Sequence, residues 1–136
     1  MNVFAVEYPG YGIYKGTASE KNVLLDAEAA YNYLLNHLHC KEEDIIIAGR
    51  SLGSGPATWL ASFTNPGLLV LISPFTSIKG VVKHAFGSTA SKLVKERFNN
   101  LKRMPSVNCP VFILHGKNDQ LIPLEQANQL YGINNK

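Results

Sequence analysis

At 136 residues, with 46% hydrophobic and 17% charged side chains, the chain has the composition of one globular domain with a sizeable core. Its net charge of +3 is mild and its Lys and Arg residues are scattered, which excludes a nucleic-acid stripe or a polybasic membrane anchor. No apolar run approaches the roughly 18 residues of a membrane span. Cys40 and Cys109 lie far apart, with no C-x-x-C and no His/Cys cluster, so no metal or cofactor site is expected and two reduced thiols are favoured over a disulfide.

The opening Met1-Asn2-Val3-Phe4-Ala5-Val6 lacks a basic n-region and meets Glu7 too early for a signal peptide. Val3 to Val6 reads instead as a buried strand entered without a lead-in, as if the chain began in the middle of a fold. Tyr8-Pro9-Gly10-Tyr11-Gly12 follows as a turn, with Gly10 free to take a positive φ. Thr17-Ala18-Ser19-Glu20 fits a capping box with Thr17 as the cap. The helix it opens carries one apolar stripe, Val23, Leu24, Ala27, Ala30, Tyr31, Leu34 and Leu38. It ends near His39-Cys40, and Lys41-Glu42-Glu43-Asp44 makes a charged turn.

Asp44 to Ala48 reads as a buried parallel strand, and Leu52 to Phe63 has helical patterning. Between them stands Gly49-x-Ser51-x-Gly53, the spacing of a nucleophile elbow, in which a sharp strand-to-helix turn holds a serine hydroxyl proud of a sheet. Glycines flank such a serine because a Cβ there would strike the neighbouring strand or helix. Ser51 is therefore the candidate nucleophile. Asn65-Pro66-Gly67 breaks the chain, Leu68 to Ile72 forms the next strand, and Ser73-Pro74-Phe75 leaves it.

Residues 76–105 read as a cap-like insertion with helical pieces at Ile78 to Phe86 and Ala90 to Phe98. They hold seven of the 13 Lys and Arg residues: Lys79, Lys83, Lys92, Lys95, Arg97, Lys102 and Arg103. Their apolar positions Val81, Val82, Phe86 and Phe98 suit an acyl pocket, with ordinary core packing the simpler expectation for each. Cys109-Pro110 leads into a fourth strand, Val111 to Leu114, and then His115-Gly116-Lys117-Asn118-Asp119. Pro123 suits a helix first turn, Leu124, Ala127, Leu130 and Tyr131 mark the last helix, and Asn134-Asn135-Lys136 reads as a frayed end. The alternation predicts an α/β fold, a mostly parallel sheet with helices on both faces, whose sites lie at the carboxyl ends of its strands.

Glu7-Tyr8-Pro9-Gly10-Tyr11-Gly12, Ala18-Ser19-Glu20, Gly49-Arg50-Ser51-Leu52-Gly53, Ser73-Pro74-Phe75 and His115-Gly116-Lys117-Asn118-Asp119 occur in one order. In that order they resemble the α/β-hydrolases, and within them the α/β-hydrolase-domain group that includes protein depalmitoylases. Arg97-Phe98-Asn99-Asn100-Leu101 echoes that group's cap segment. The resemblance implies that Ser51 forms an acyl-enzyme and that Asp119 orients a catalytic histidine. It also implies that the Leu52 backbone N–H supplies half of the oxyanion hole. The bland alternative for Asp119 is a turn-forming aspartate near a helix start. Arg50, beside the serine, either biases the site toward anionic groups or simply faces solvent.

The triad order of this fold is Ser, acid, His, and no histidine follows Asp119. His37, His39, His84 and His115 are poor substitutes, and the resemblance makes His115 structural. It also implies that early strands, one of them interior to the sheet, and a final His-bearing strand and loop are absent from residues 1–136, which are expected to be a partial α/β-hydrolase domain, a fragment of a longer product.

Two functions are carried forward. One is a serine hydrolase of carboxylic esters or thioesters, with S-depalmitoylation of a lipidated protein as the substrate reaction the resemblance suggests; no nucleic acid is expected as partner. The other is a catalytically incomplete hydrolase-like fragment or a non-enzymatic binding module. The resemblance points to the cytoplasm or the cytoplasmic face of a membrane, with any membrane association through an N-terminal segment outside this sequence.

Overall fold

Three apolar runs become the strands of one parallel sheet in the computed structural model, which describes residues 2–134. These are β1 (Ile46–Arg50), β2 (Leu68–Ile72) and β3 (Val111–Leu114), in spatial order β1-β2-β3. Arg50 stands opposite Ile72, and Ile72 opposite Leu114, so the three strands end level with one another. The ladder of β1 begins at Ile46 and not at Asp44. A single 3-10 turn takes up Glu42–Asp44, and the Ile45 carbonyl accepts a hydrogen bond from Gly67 N at 2.9 Å.

The chain divides into two compact units, residues 1–41 and 42–136. In the first, α1 (Glu20–Asn36) carries the expected stripe, with Val23 and Tyr31 fully buried. Its cap is Ser19, not Thr17: the Ser19 hydroxyl accepts from Asn22 N at 3.1 Å, while Thr17 offers only its carbonyl, to the Asn22 side chain. The stripe stops short of Leu38, because His37 caps the helix and His39 turns the chain through a left-handed φ of 53°. Gly10 takes the positive φ its turn requires, at 84°. Val3 to Val6 forms no strand. A strand exists only when its N–H and C=O groups meet a neighbouring ladder, and among the described residues none pairs with it.

In the second unit, α2 (Ser54–Ala61) follows β1 and lies over the face that carries Ile47, Gly49, Leu69 and Leu71. Leu69 and Leu71 are completely buried, each contributing about 1.5–3 kcal/mol. The opposite sheet face is open, with Ile46, Phe112 and Leu114 each more than half exposed. α5 (Leu124–Asn134) packs against β3 through a helix face that buries Ala127 and Leu130. Of the expected frayed end, Asn135 and Lys136 lie outside the described residues, as does Met1.

Residues 76–105 differ from their expected layout. α3 runs Ile78–Lys92, capped by the Ser77 hydroxyl on Gly80 N, and is broken inside by Gly87 at φ 84°. No second helix extends to Phe98; the next is α4 (Asn100–Arg103), capped by the Asn99 side chain on Lys102 N. The excursion leaves and returns at one place, since Ile78 N donates to Arg97 O and Leu101 N to Thr76 O. Phe86 is 75% exposed and Phe98 is buried on Gly55, so the first lines no enclosed acyl pocket and the second is core.

Candidate active site

Ser51 sits at the corner between β1 and α2, in a single 3-10 turn, Ser51–Gly53. Its φ is +47°, a left-handed conformation that costs a residue with a side chain about 1–3 kcal/mol. A bulky neighbour would forbid the corner. A Cβ on Gly49 would overlap the Gly53 carbonyl and stand 2.7 Å from Ala57 Cβ, so β1 and α2 approach only across glycine. Gly53 itself has φ −63°, which any residue adopts; its backbone is what Gly49 must clear. The Leu52 N–H lies in the first turn, where a helical N–H has no intrahelical acceptor and carries the positive end of the dipole.

Asp119 is held by the loop that leaves β3. Its Oδ1 accepts from Leu121 N at 3.0 Å and from Ile122 N at 2.9 Å, and its side chain is a quarter exposed. The Ile122 N–H bond holds the carboxyl below the usual aspartate range. The Leu121 N–H and the nearby His115 add to this, while partial burial opposes it. Both N–H bonds fall on Oδ1, and among the described residues Oδ2 has the 3.9 Å approach of His115 Nε2. Asp119 is thus the turn-forming residue of the bland reading and, at the same time, a fixed carboxylate whose Oδ2 accepts no backbone N–H among the described residues.

His115 is spoken for. Its side chain is 2% exposed, and its Nε2 lies 2.7 Å from the Ile122 carbonyl. A carbonyl only accepts, so Nε2 carries the proton, and Nδ1 is buried with no partner among the described residues. The residue closes the loop from 115 to 122 and so sets the two N–H groups that grip Asp119. His84 is exposed on α3; His37 and His39 belong to the other unit, where the His37 ring stacks on Tyr33.

Because the strands end in register, Ser51, Ser73 and His115 each stand one residue past the same edge of the sheet. Ser51 and the Asp119 loop are therefore two strand spacings apart, roughly 10 Å. One imidazole with hydrogen bonds at both ends spans much of that gap. Among the described residues, no three His, Cys, Asp or Glu side chains gather to hold a metal ion.

Sequence reasoning missed a buried polar network behind the elbow. The Ser54 hydroxyl donates to the Ser51 carbonyl at 2.7 Å. Asn100 Nδ2 reaches Ser54 Oγ at 3.3 Å and donates to Phe75 O at 3.0 Å. Both side chains are completely buried, and among the described residues Asn100 Oδ1 has no partner, a burial that costs about 1–3 kcal/mol. A second tie joins Thr76, through its N–H and hydroxyl, to Gln126 Oε1. Ser73 and Phe98 also take φ +47°, so the departures from β1 and β2 and the return of the cap-like segment are all strained. Nothing local in the sequence marks these partners, which stand 46 and 50 residues apart.

A parallel sheet with a serine corner at the carboxyl end of one strand and an acid loop two strands away defines the α/β-hydrolase class. The chain has the fold of the α/β-hydrolases, and its relatives are alpha/beta hydrolase domain-containing proteins. It is 35% identical over 130 residues to the Caenorhabditis elegans alpha/beta hydrolase domain-containing protein aho-3, covering 96% of this chain and 38% of the relative. It is 33% identical, over the same share of its length, to the human alpha/beta hydrolase domain-containing protein 17B, of which it covers 44%. The chain thus spans less than half the length of these two relatives. Among solved structures it superposes on an alpha-beta hydrolase from Vibrio vulnificus with a TM-score of 0.79 at 26% identity, over 92% of this chain and 49% of that one. An esterase from Pyrococcus furiosus gives 0.73 at 22% identity, over 95% and 55%, and supports the fold. No protein-family model matches the chain.

Proposed function

We propose that this chain carries the nucleophile and acid of a serine hydrolase that cleaves carboxylic esters or thioesters, with the S-acyl bond of a lipidated protein as substrate. The observation that carries the reading is the left-handed Ser51, held at a corner that only Gly49 permits. In this reading Ser51 Oγ attacks the acyl carbon and gives its proton to a histidine. The carbonyl oxygen takes the charge and is met by the Leu52 N–H. The carbon–sulfur or carbon–oxygen bond then breaks, the leaving group takes the proton, and water later releases the acid from Ser51. Asp119 Oδ2 receives the ring N–H of that histidine, fixing its tautomer and stabilising its charged form.

The base is a histidine other than His115, whose Nε2 is committed to Ile122. The substrate class rests on the similarity to the alpha/beta hydrolase domain-containing 17 group and on the thioester chemistry a serine elbow can perform. In this reading the enzyme works in the cytoplasm or at the cytoplasmic face of a membrane. No helix of the described residues is long and apolar enough to cross one. The test is a fluorophosphonate probe applied to the protein expressed from its complete gene. Labelling that maps to Ser51 and disappears in Ser51→Ala is the expected result. No labelling of the parent protein would replace the reading with that of a non-enzymatic hydrolase-like module.

A further inference from the structure

We propose that Ser54 and Asn100 are positioning residues for the oxyanion donor, and that through them the cap-like segment sets the direction of the Leu52 N–H. The inference rests on the serine-hydrolase reading above, and its argument is geometric. The Ser51 carbonyl and the Leu52 N–H belong to one planar trans peptide and point in opposite directions. Whatever holds that carbonyl therefore aims that N–H. Two groups of Ser54 hold it, the backbone N–H and the hydroxyl, the hydroxyl at 2.7 Å and the one of the two that substitution can remove.

The hydroxyl's direction is fixed in turn. Phe75 O can only accept, so the Asn100 group facing it is the amide Nδ2, and the same nitrogen approaches Ser54 Oγ. With an N–H delivered to its oxygen, Ser54 is left to donate its own proton to Ser51 O. Asn100 is anchored where the cap-like segment returns. Its N–H donates to the carbonyl of the left-handed Phe98, Leu101 N donates to Thr76 O, and Phe98 packs on Gly55 next to Ser54. A buried amide whose oxygen has no partner among the described residues is a poor way to fill a core, but it is a direct way to carry orientation from that return point to the elbow.

The decisive experiment compares Ser54→Ala and Asn100→Ala with the parent protein from its complete gene. Removing an oxyanion donor costs about 10²–10³ in rate, and misdirecting one costs less. Ser54→Ala is therefore expected to lower the labelling rate at Ser51 about 10- to 100-fold. The pH midpoint of labelling should stay where it was, because the base is untouched. Asn100→Ala should act in the same direction and less strongly. The Leu52 amide should shift in a ¹⁵N NMR spectrum of either variant.

A variant that melts earlier but labels at the parent rate overturns the proposal, since that is what a purely structural tie would do. If the parent does not label at all, the hydrolase reading fails separately. The Leu52 amide then decides: an unmoved resonance in Ser54→Ala refutes the relay.

Discussion

Gly49→Ala tests whether the elbow is built on close approach. The added methyl would overlap the Gly53 carbonyl and stand 2.7 Å from both Gly53 C and Ala57 Cβ. These are backbone and the root of a buried helical residue, not the free end of a side chain. Overpacking of this kind costs about 1–3 kcal/mol, and with backbone in the way the upper end applies. The smaller entropy of the unfolded Ala chain returns about 0.4–1 kcal/mol, so the net loss is about 2 kcal/mol. Gly132→Ala is the matched control. Gly132 is exposed inside α5, with nothing within 4 Å of its added Cβ, and should gain about 0.5–1 kcal/mol from helix propensity. Urea unfolding followed by Trp59 reports the outcome. It is the chain's one tryptophan, it lies on α2, and its ring stands edge-on to Phe63 at 4.7 Å. With a slope of about 2 kcal/mol per molar urea, Gly49→Ala should move the midpoint down by about 1 M and Gly132→Ala up by about 0.3–0.5 M. A Gly49→Ala midpoint equal to or above the parent's would refute the claim that contact with α2 demands glycine at this position.

Ser51→Gly relieves the left-handed corner and should stabilise the chain by about 0.5–1 kcal/mol while abolishing probe labelling; a destabilised variant would show that φ +47° carries no strain here. Asp119 has a folded pKa below its unfolded one, so its contribution to stability is full above about pH 4 and is lost as pH falls through the folded value. The urea midpoint of the parent should therefore drop more steeply below pH 4 than that of Asp119→Asn, and parallel acid limbs would contradict the assignment. Phe112→Lys, on the open sheet face, should reduce light scattering by the 136-residue chain while changing its stability, followed by Trp59, by less than about 0.5 kcal/mol. Unchanged scattering would show that this face does not drive association.

Much of the local geometry around the candidate site was legible one residue at a time. The Ile45–Ile47 run, Gly49, Ser51 and the helix patterning after it lie within a dozen residues, and periodicity and sterics act over that range. The Asp119 loop was legible for the same reason, because its grip comes from Leu121 and Ile122. Caps were harder. Thr17 and Ser19 both fit as helix starts, and which one serves depends on where the preceding turn releases the chain. The helical stretch expected from Ala90 to Phe98 failed because Phe98 is required, left-handed, beneath the elbow helix at Gly55.

Local pattern was therefore enough for the sheet's strands, the serine corner and the acid loop, since each is specified by neighbours in the chain. Three features had no such local source. Val3 to Val6 has the pattern of a strand, but a strand is a property of two segments, and the described residues offer it no ladder. The open face carrying Ile46, Phe112 and Leu114 is as apolar in sequence as the covered one, and only packing distinguishes them. The Ser54–Asn100–Phe75 relay joins three distant parts of the chain, which meet only after the parallel strands have brought the elbow, the exit of β2 and the return of the cap-like segment to one edge.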